Sequence, residues 1–115
     1  MVVGAGAALV GSGDREARTI RRVPDAKVLL VDDDPVILKL LQVNFEMEGY
    51  AVVTASDGVE GLEKARSENP DIVLLDIMMP RMDGLQVTKV LKGEDATKAI
   101  PIILFRAARS AANAR

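Results

Sequence analysis

Asp71-Ile72-Val73-Leu74-Leu75-Asp76-Ile77-Met78-Met79-Pro80-Arg81-Met82-Asp83-Gly84 is the stretch on which the reading of this chain turns. Ile72 to Leu75 is an apolar run of branched side chains that follows the turn pair Asn69-Pro70. A run of this length and composition fits a strand buried on both faces, as in a parallel sheet covered by helices. It ends on a carboxylate, Asp76. Ligands of open parallel sheets bind beyond the carboxyl ends of the strands, so Asp76 stands where such folds carry chemistry. Pro80 and the pair Asp83-Gly84 then turn the chain into a following helix. Taken in isolation, an Asp at this place would read as a cap.

The stretch has a counterpart upstream. Lys27-Val28-Leu29-Leu30-Val31-Asp32-Asp33-Asp34-Pro35 is a second buried-strand pattern that runs into carboxylates, and two such strand ends side by side make an acidic pocket. Between and after them the pattern alternates. Asp34 is a good N-cap with Pro35 at the first helical position. Val36, Leu40, Val43 and Met47 recur at helical spacing, widened by Ile37 and Leu41, and this stripe is expected to pack on the sheet, with the helix ending near Gly49. Tyr50 to Thr54 reads as a short second strand. Asp57, with Glu60 three residues on, opens a second helix that turns Leu62 and Ala65 inward and stops at Asn69-Pro70. Leu85 begins a third helix, with Val87, Val90 and Leu91 on one face and Gly93 at its end. Ile100 to Phe105 is a fourth strand, with Pro101 near its start, where a missing donor is tolerated. Strands alternating with helices in this way predict a doubly wound parallel sheet with right-handed crossovers.

The acidic pair after the first strand and the Leu74-Leu75-Asp76-Ile77-Met78-Met79-Pro80-x-Met82-Asp83-Gly84 loop after the third resemble the receiver domain of two-component response regulators. The resemblance covers about Lys27 to Ala107. It implies a flavodoxin-like α/β fold with strand order 2-1-3-4 and a phosphoacceptor role for Asp76. It further implies Mg2+ held by Asp32, Asp33, Asp76 and the backbone carbonyl of Met78, a phosphoryl group supplied by a histidine kinase or phosphotransfer protein, and a cytoplasmic signalling module rather than a turnover enzyme. Converging carboxylates repel one another unless a cation enters or one takes up a proton. Mg2+ is a hard ion that takes oxygen ligands and bridges to phosphate, and it would offset charge as the Asp76 carboxylate attacks phosphorus. Asp34 reads as a helix cap rather than a ligand.

A second motif uses the same residues. Val28 to Val36 also fits the strand-DxDx[TV] pattern of haloacid-dehalogenase-like phosphatases, with Asp32 as nucleophile and Asp34 as acid/base. That chemistry needs a later hydroxyl and a lysine at strand ends; Phe105-Arg106 offers neither, and the Asp76 loop would go unexplained. The resemblance to receivers departs from the family at the same place. Arg106-Ala107 stands where the family has Thr or Ser followed by Ala, and the family's lysine after a fifth strand has no counterpart. A guanidinium can contact a phosphoryl oxygen, but in an Ala/Arg-rich tail Arg106 reads as solvated. Nine residues follow Arg106, fewer than the roughly 10–12 a parallel crossover takes. The reading is therefore of a receiver truncated after the fourth strand and impaired in phosphorylation, with an inert fragment that binds kinase without signalling as the alternative. Ile100 to Phe105 would be an exposed edge through which the chain self-associates.

Composition bounds the rest. A chain of 115 residues fits one domain. Cysteine and histidine are absent, which excludes disulfides, thiolate metal sites, Ser-His-Asp and Cys-His catalysis and a phosphohistidine donor role; any metal is held by oxygen. No apolar stretch approaches the ~20 residues of a membrane span. Net charge is −2: residues 1–26 carry four arginines against three acids, residues 106–115 three arginines, and the segment between them eight bases against fourteen acids. An acidic centre with sparse arginine ends and no interleaved aromatics is not a nucleic-acid surface. Residues 1–26 read as a flexible extension, 27–107 as the receiver-like domain and 108–115 as an Ala/Arg-rich tail. Gly4-x-Gly6 near the start lacks both a preceding strand and the third glycine of a dinucleotide loop.

Overall fold

The computed structural model describes residues 26–106. The extension, all but its last residue, and the tail lie outside the described residues. Four parallel strands, β1 (Lys27–Val31), β2 (Ala51–Ala55), β3 (Ile72–Asp76) and β4 (Ile102–Phe105), form one sheet in the order β2-β1-β3-β4. Three helices connect them: α1 (Pro35–Met47), α2 (Gly58–Ser67) and α3 (Gly84–Lys92). Among the described residues this is the doubly wound parallel sheet that the alternating pattern predicts, in the strand order that the family resemblance implies.

The register places β1 and β3 side by side, Val31 opposite Leu75, so both strands run out at the same end of the sheet. Their side chains feed two cores. Leu29, Val31, Val73 and Leu75 join Leu62 and Ala65 of α2 and Val87 and Leu91 of α3 on one face. Val28, Leu30 and Leu74 join Phe45 of α1 on the other, flanked by Leu38, Leu41, Tyr50, Ile103 and Phe105. Phe45 meets Tyr50 edge to face at a centroid distance of 5.6 Å. Burial of each such Val, Leu or Phe side chain contributes about 1.5–3 kcal/mol, which makes the two central strands the stable centre of the domain.

One expectation is overturned here. The stripe Val36, Leu40, Val43 and Met47 does not pack on the sheet: these residues are 67, 58, 42 and 78% exposed. The helix is apolar nearly all round, and two stripes compete for the core. The one carrying Phe45, with Leu38 and Leu41, brings the largest side chain of the helix and fills the space over β1 and β2; the other is left in solvent.

The helix ends follow from local chemistry. Asp34 Oδ1 accepts from the Val36 and Ile37 amides at 2.9 and 3.4 Å, and Gly49, at φ 98°, takes the left-handed turn after α1 that a side chain would resist. At α2, Asp57 accepts from the Glu60 amide (2.8 Å), but Glu60 reaches back to the Ser56 amide and hydroxyl (2.8 and 3.0 Å) rather than to Asp57. The Ser56 amide, more than Lys64, holds the Glu60 carboxyl below the usual range against the opposing effect of burial. A reciprocal capping box stands instead at α3, between Asp83 and Gln86 at 2.9 Å in both directions. Beyond α3, the buried Thr97 hydroxyl donates to the Leu91 carbonyl at 2.7 Å, and Lys92 Nζ donates to the carbonyls of Lys98 and Ile100 at 3.1 and 2.9 Å. These bonds satisfy backbone acceptors in the passage into β4. No helix among the described residues is long and apolar enough to cross a membrane.

Candidate phosphoacceptor and metal site

Asp32, Asp33 and Asp76 meet at the carboxyl end of β1 and β3. Each offers a carboxylate oxygen, and the three oxygens lie within 4.8 Å of one another. Asp32 and Asp76 are fully buried and Asp33 is half-buried. The backbone extends the ladder to reach this point: the Asp32 amide donates to the Ala55 carbonyl at 3.2 Å, and the Ile77 amide to the Phe105 carbonyl at 2.9 Å. Both acids therefore leave the sheet from a hydrogen-bonded main chain. Amides from the loops orient the carboxylates, Asp34 N–H donating to Asp32 Oδ1 at 2.9 Å and Met78 N–H to Asp76 Oδ1 at 3.1 Å. Asp34 itself faces the first amides of α1 as its cap and is not in the cluster.

Arg106 is exposed, one residue past Phe105, the register partner of Asp76. Met78 is 50% exposed at the mouth of the site, where its amide is engaged with Asp76.

Two glycines matter more than the sequence alone disclosed. A methyl group on Gly84 would stand 2.5 Å from the Asp76 carbonyl oxygen and 2.9 Å from Ile77 Cα, so only glycine lets the start of α3 lie against the backbone that carries Asp76. The Gly84 amide also donates to the Ile77 carbonyl at 3.0 Å and closes residues 77–84 into a loop. Within it Arg81 sits at φ 64°, a left-handed conformation that non-glycine residues adopt at a cost of order 1 kcal/mol or more. A methyl on Gly58 at the start of α2 would press on Met82 of the same loop. A DG pair reads in sequence as a turn; the steric reason appears only when the neighbouring backbone is in place.

With the geometry established, residues 28–115 match the response regulator receiver domain family. The chain belongs to that family. The receiver is 47% identical over 81 residues to the alkaline phosphatase synthesis transcriptional regulatory protein PhoP of Bacillus subtilis, a match that covers 70% of this chain and 33% of that protein. It is 42% identical over 79 residues to protein PilH of Pseudomonas aeruginosa, covering 69% of this chain and 65% of the relative. The chain thus spans about a third of the length of PhoP. Among solved structures, the response regulator TrrA of Thermotoga maritima, in complex with Mg2+-BeF, is similar with 40% identity and a TM-score of 0.68, covering 73% of this chain and 71% of that one. The chemotaxis protein CheY4 of Vibrio cholerae is similar with 34% identity and the same TM-score, covering 76% and 72%.

Receivers of this family bind Mg2+ at an acidic pocket. The receiver's cluster fits that ion: ligand oxygens around Mg2+ stand roughly 3–4 Å apart at its ~2.1 Å bond length, close to the span of the three carboxylates, and all are hard donors.

Proposed function

We propose that this receiver accepts a phosphoryl group on Asp76 from a phosphohistidine of a histidine kinase or phosphotransfer protein. The convergence of Asp32, Asp33 and Asp76 at one end of the sheet carries this reading. In the step, an Asp76 carboxylate oxygen forms a bond to phosphorus while the phosphorus–nitrogen bond of the donor breaks, and the imidazole leaves with the electron pair. Asp32, Asp33, Asp76 and the Met78 carbonyl would hold Mg2+, which when bound offsets the charge on the phosphoryl oxygens. The Met78 amide fixes Asp76 Oδ1 and so aims the carboxylate. The cap geometry of Asp34 favours this over a phosphatase in which Asp34 shuttles protons. Arg106, exposed, is read as solvated, and in the absence of a hydroxyl there transfer is slow. Exposure to a small phosphodonor with Mg2+, followed by intact mass and peptide mapping, tests the assignment: an adduct on another residue, or none, refutes it and leaves the inert-fragment reading.

The exposed stripe on α1 supports a protein donor. It starts at the mouth of the acidic site, where any donor must arrive, and Pro35, Val36, Lys39, Leu40 and Val43 line an open apolar groove of about 450 Å³. A helix of the donor laid along it would bury Val36 and Leu40 as it brings its phosphohistidine to Asp76. Leu40→Glu should therefore lower transfer from a histidine kinase that phosphorylates the parent chain by at least tenfold, as loss of a central contact of ~1.4–2 kcal/mol implies. Labelling by a small phosphodonor should be unchanged. Equal loss with both donors would show damage to the site and not to docking.

Self-association belongs to the same proposal. Among the described residues β4 pairs only with β3 and its four side chains are half-buried. Its outer row of backbone groups is a template for a second copy. Sedimentation of the 115-residue chain at micromolar concentration should show dimers; a monomer throughout would remove this interface.

A further inference from the structure

We propose that Gly58 is a positioning residue for the phosphoacceptor loop: it sets the place of residues 77–83 through Met82, and with it the metal affinity of the acidic cluster, without touching a ligand. The inference rests on the reading of Asp32, Asp33 and Asp76 as a Mg2+ site.

Gly58 is the first residue of α2, directly after the cap Asp57. Its backbone does not need glycine, because among the described glycines Gly49 alone has a positive φ. Alanine is the better helix former. What excludes a side chain is space. A Cβ on Gly58 would stand 2.9 Å from the Met82 carbonyl oxygen, 3.0 Å from Met82 Cβ and 3.1 Å from Met82 Cγ. The first two atoms cannot swing away as a flexible side-chain end can, so either the helix or the loop must shift.

The helix is the firmer partner. Leu62 and Ala65 are buried in the core, Gly61 lies against Val31, where an added Cβ would come within 3.0 Å of Cγ1, and Lys64 Nζ donates to the Thr54 carbonyl at 2.7 Å. The loop has no regular structure, exposes Met78, Pro80 and Arg81, and already holds Arg81 in a left-handed conformation. The loop is therefore the part that yields. Its displacement is passed on through bonds: Met82 N–H donates to the Pro80 carbonyl at 2.7 Å, and two residues earlier Met78 N–H donates to Asp76 Oδ1 at 3.1 Å. A shift of a few tenths of an ångström at Met82 thus reaches the hydrogen bond that aims the phosphoacceptor.

Mg2+ titration of Gly58→Ala against the parent chain, with the Met78 amide followed by NMR, is the test. The expected result is roughly three- to tenfold weaker Mg2+ binding, in keeping with the steep dependence of such sites on sub-ångström placement, together with a moved Met78 amide resonance and little change in the melting midpoint without metal. Met82→Gly in the Gly58→Ala background removes Met82 Cβ and Cγ, two of the three close contacts, and should restore part of the affinity. If Gly58→Ala does not fold, Met82→Ala alone is informative, because it removes the side chain that packs the loop against the core and should also weaken binding. A parent chain that binds Mg2+ while Gly58→Ala, or Met82→Ala alone, binds it equally overturns the positioning role. A parent chain that binds no Mg2+ overturns the site reading itself, and this inference with it.

Discussion

Asp76→Asn is expected to abolish phosphoryl incorporation and to reduce sharply the stabilisation that Mg2+ confers on the native chain. Asn has nearly the size of Asp and keeps an oxygen to accept the Met78 amide, so the loop and β3 stay in place while one negative charge leaves the cluster. A ligand that binds only the folded state adds RT ln(1 + [L]/Kd), about 2.7 kcal/mol at a hundredfold excess over Kd. For a domain of about 80 residues that is a rise in melting midpoint of roughly 10–20 °C. Without metal the sign reverses: removing one of three converging carboxylates relieves their repulsion, so Asp76→Asn should melt at or above the parent chain. Thermal melts of both chains, with and without millimolar Mg2+, read all four cases. Superimposed melts of the parent chain with and without metal would rule out the Mg2+ site, and an undiminished Mg2+ shift in Asp76→Asn would remove Asp76 from it.

Gly84→Ala is the second change with a large expected effect, and here two local preferences oppose each other. Alanine improves helix propensity at the start of α3 by up to about 1 kcal/mol. Against this, its methyl group would stand 2.5 Å from the Asp76 carbonyl oxygen, 2.9 Å from Ile77 Cα and 3.1 Å from the Asp76 carbonyl carbon. All three are backbone atoms at the end of a strand buried from Val73 to Asp76, so relief requires α3 to move off the sheet and loosen Val87 and Leu91, which are fully buried. The clash wins, with an expected net loss of about 2–4 kcal/mol, a large part of the 5–15 kcal/mol by which such domains are stable. Denaturant unfolding should show a lower midpoint at unchanged slope, and phosphoryl labelling at Asp76 should fall with it. A Gly84→Ala chain as stable as the parent, or more so, would mean that α3 does not press on the Asp76 backbone.

The two changes also separate what could be read along the chain from what could not. The parallel sheet was legible because Val28 to Val31 and Ile72 to Leu75 are unbroken apolar runs, each followed by a helix start, while its strand order came from the family resemblance. Strands of that kind are stable only when both faces are covered, so their pattern carries the tertiary arrangement with it. The candidate cluster was legible for a related reason: strands that lie parallel end at the same edge, and acids placed after β1 and β3 must meet there. The cap role of Asp34 depends on the next three residues alone, and it too could be read locally.

The burial of α1 could not. Val36-Leu40-Val43-Met47 and Leu38-Leu41-Phe45 are both apolar stripes at helical spacing, and periodicity ranks them equally; the volume of Phe45 over β1 and β2 made the choice and left the other stripe in solvent. The roles of Gly58 and Gly84 were hidden likewise, since each is set by one backbone approaching another across more than five residues of sequence, at Met82 and at Asp76. Sequence alone determined the sheet, its helices and the meeting of three carboxylates, because these follow from hydrophobic runs and from where each run stops. Tertiary structure alone decided which face of α1 meets solvent and where the chain has no room for a Cβ, because both depend on distances between segments that no local pattern encodes.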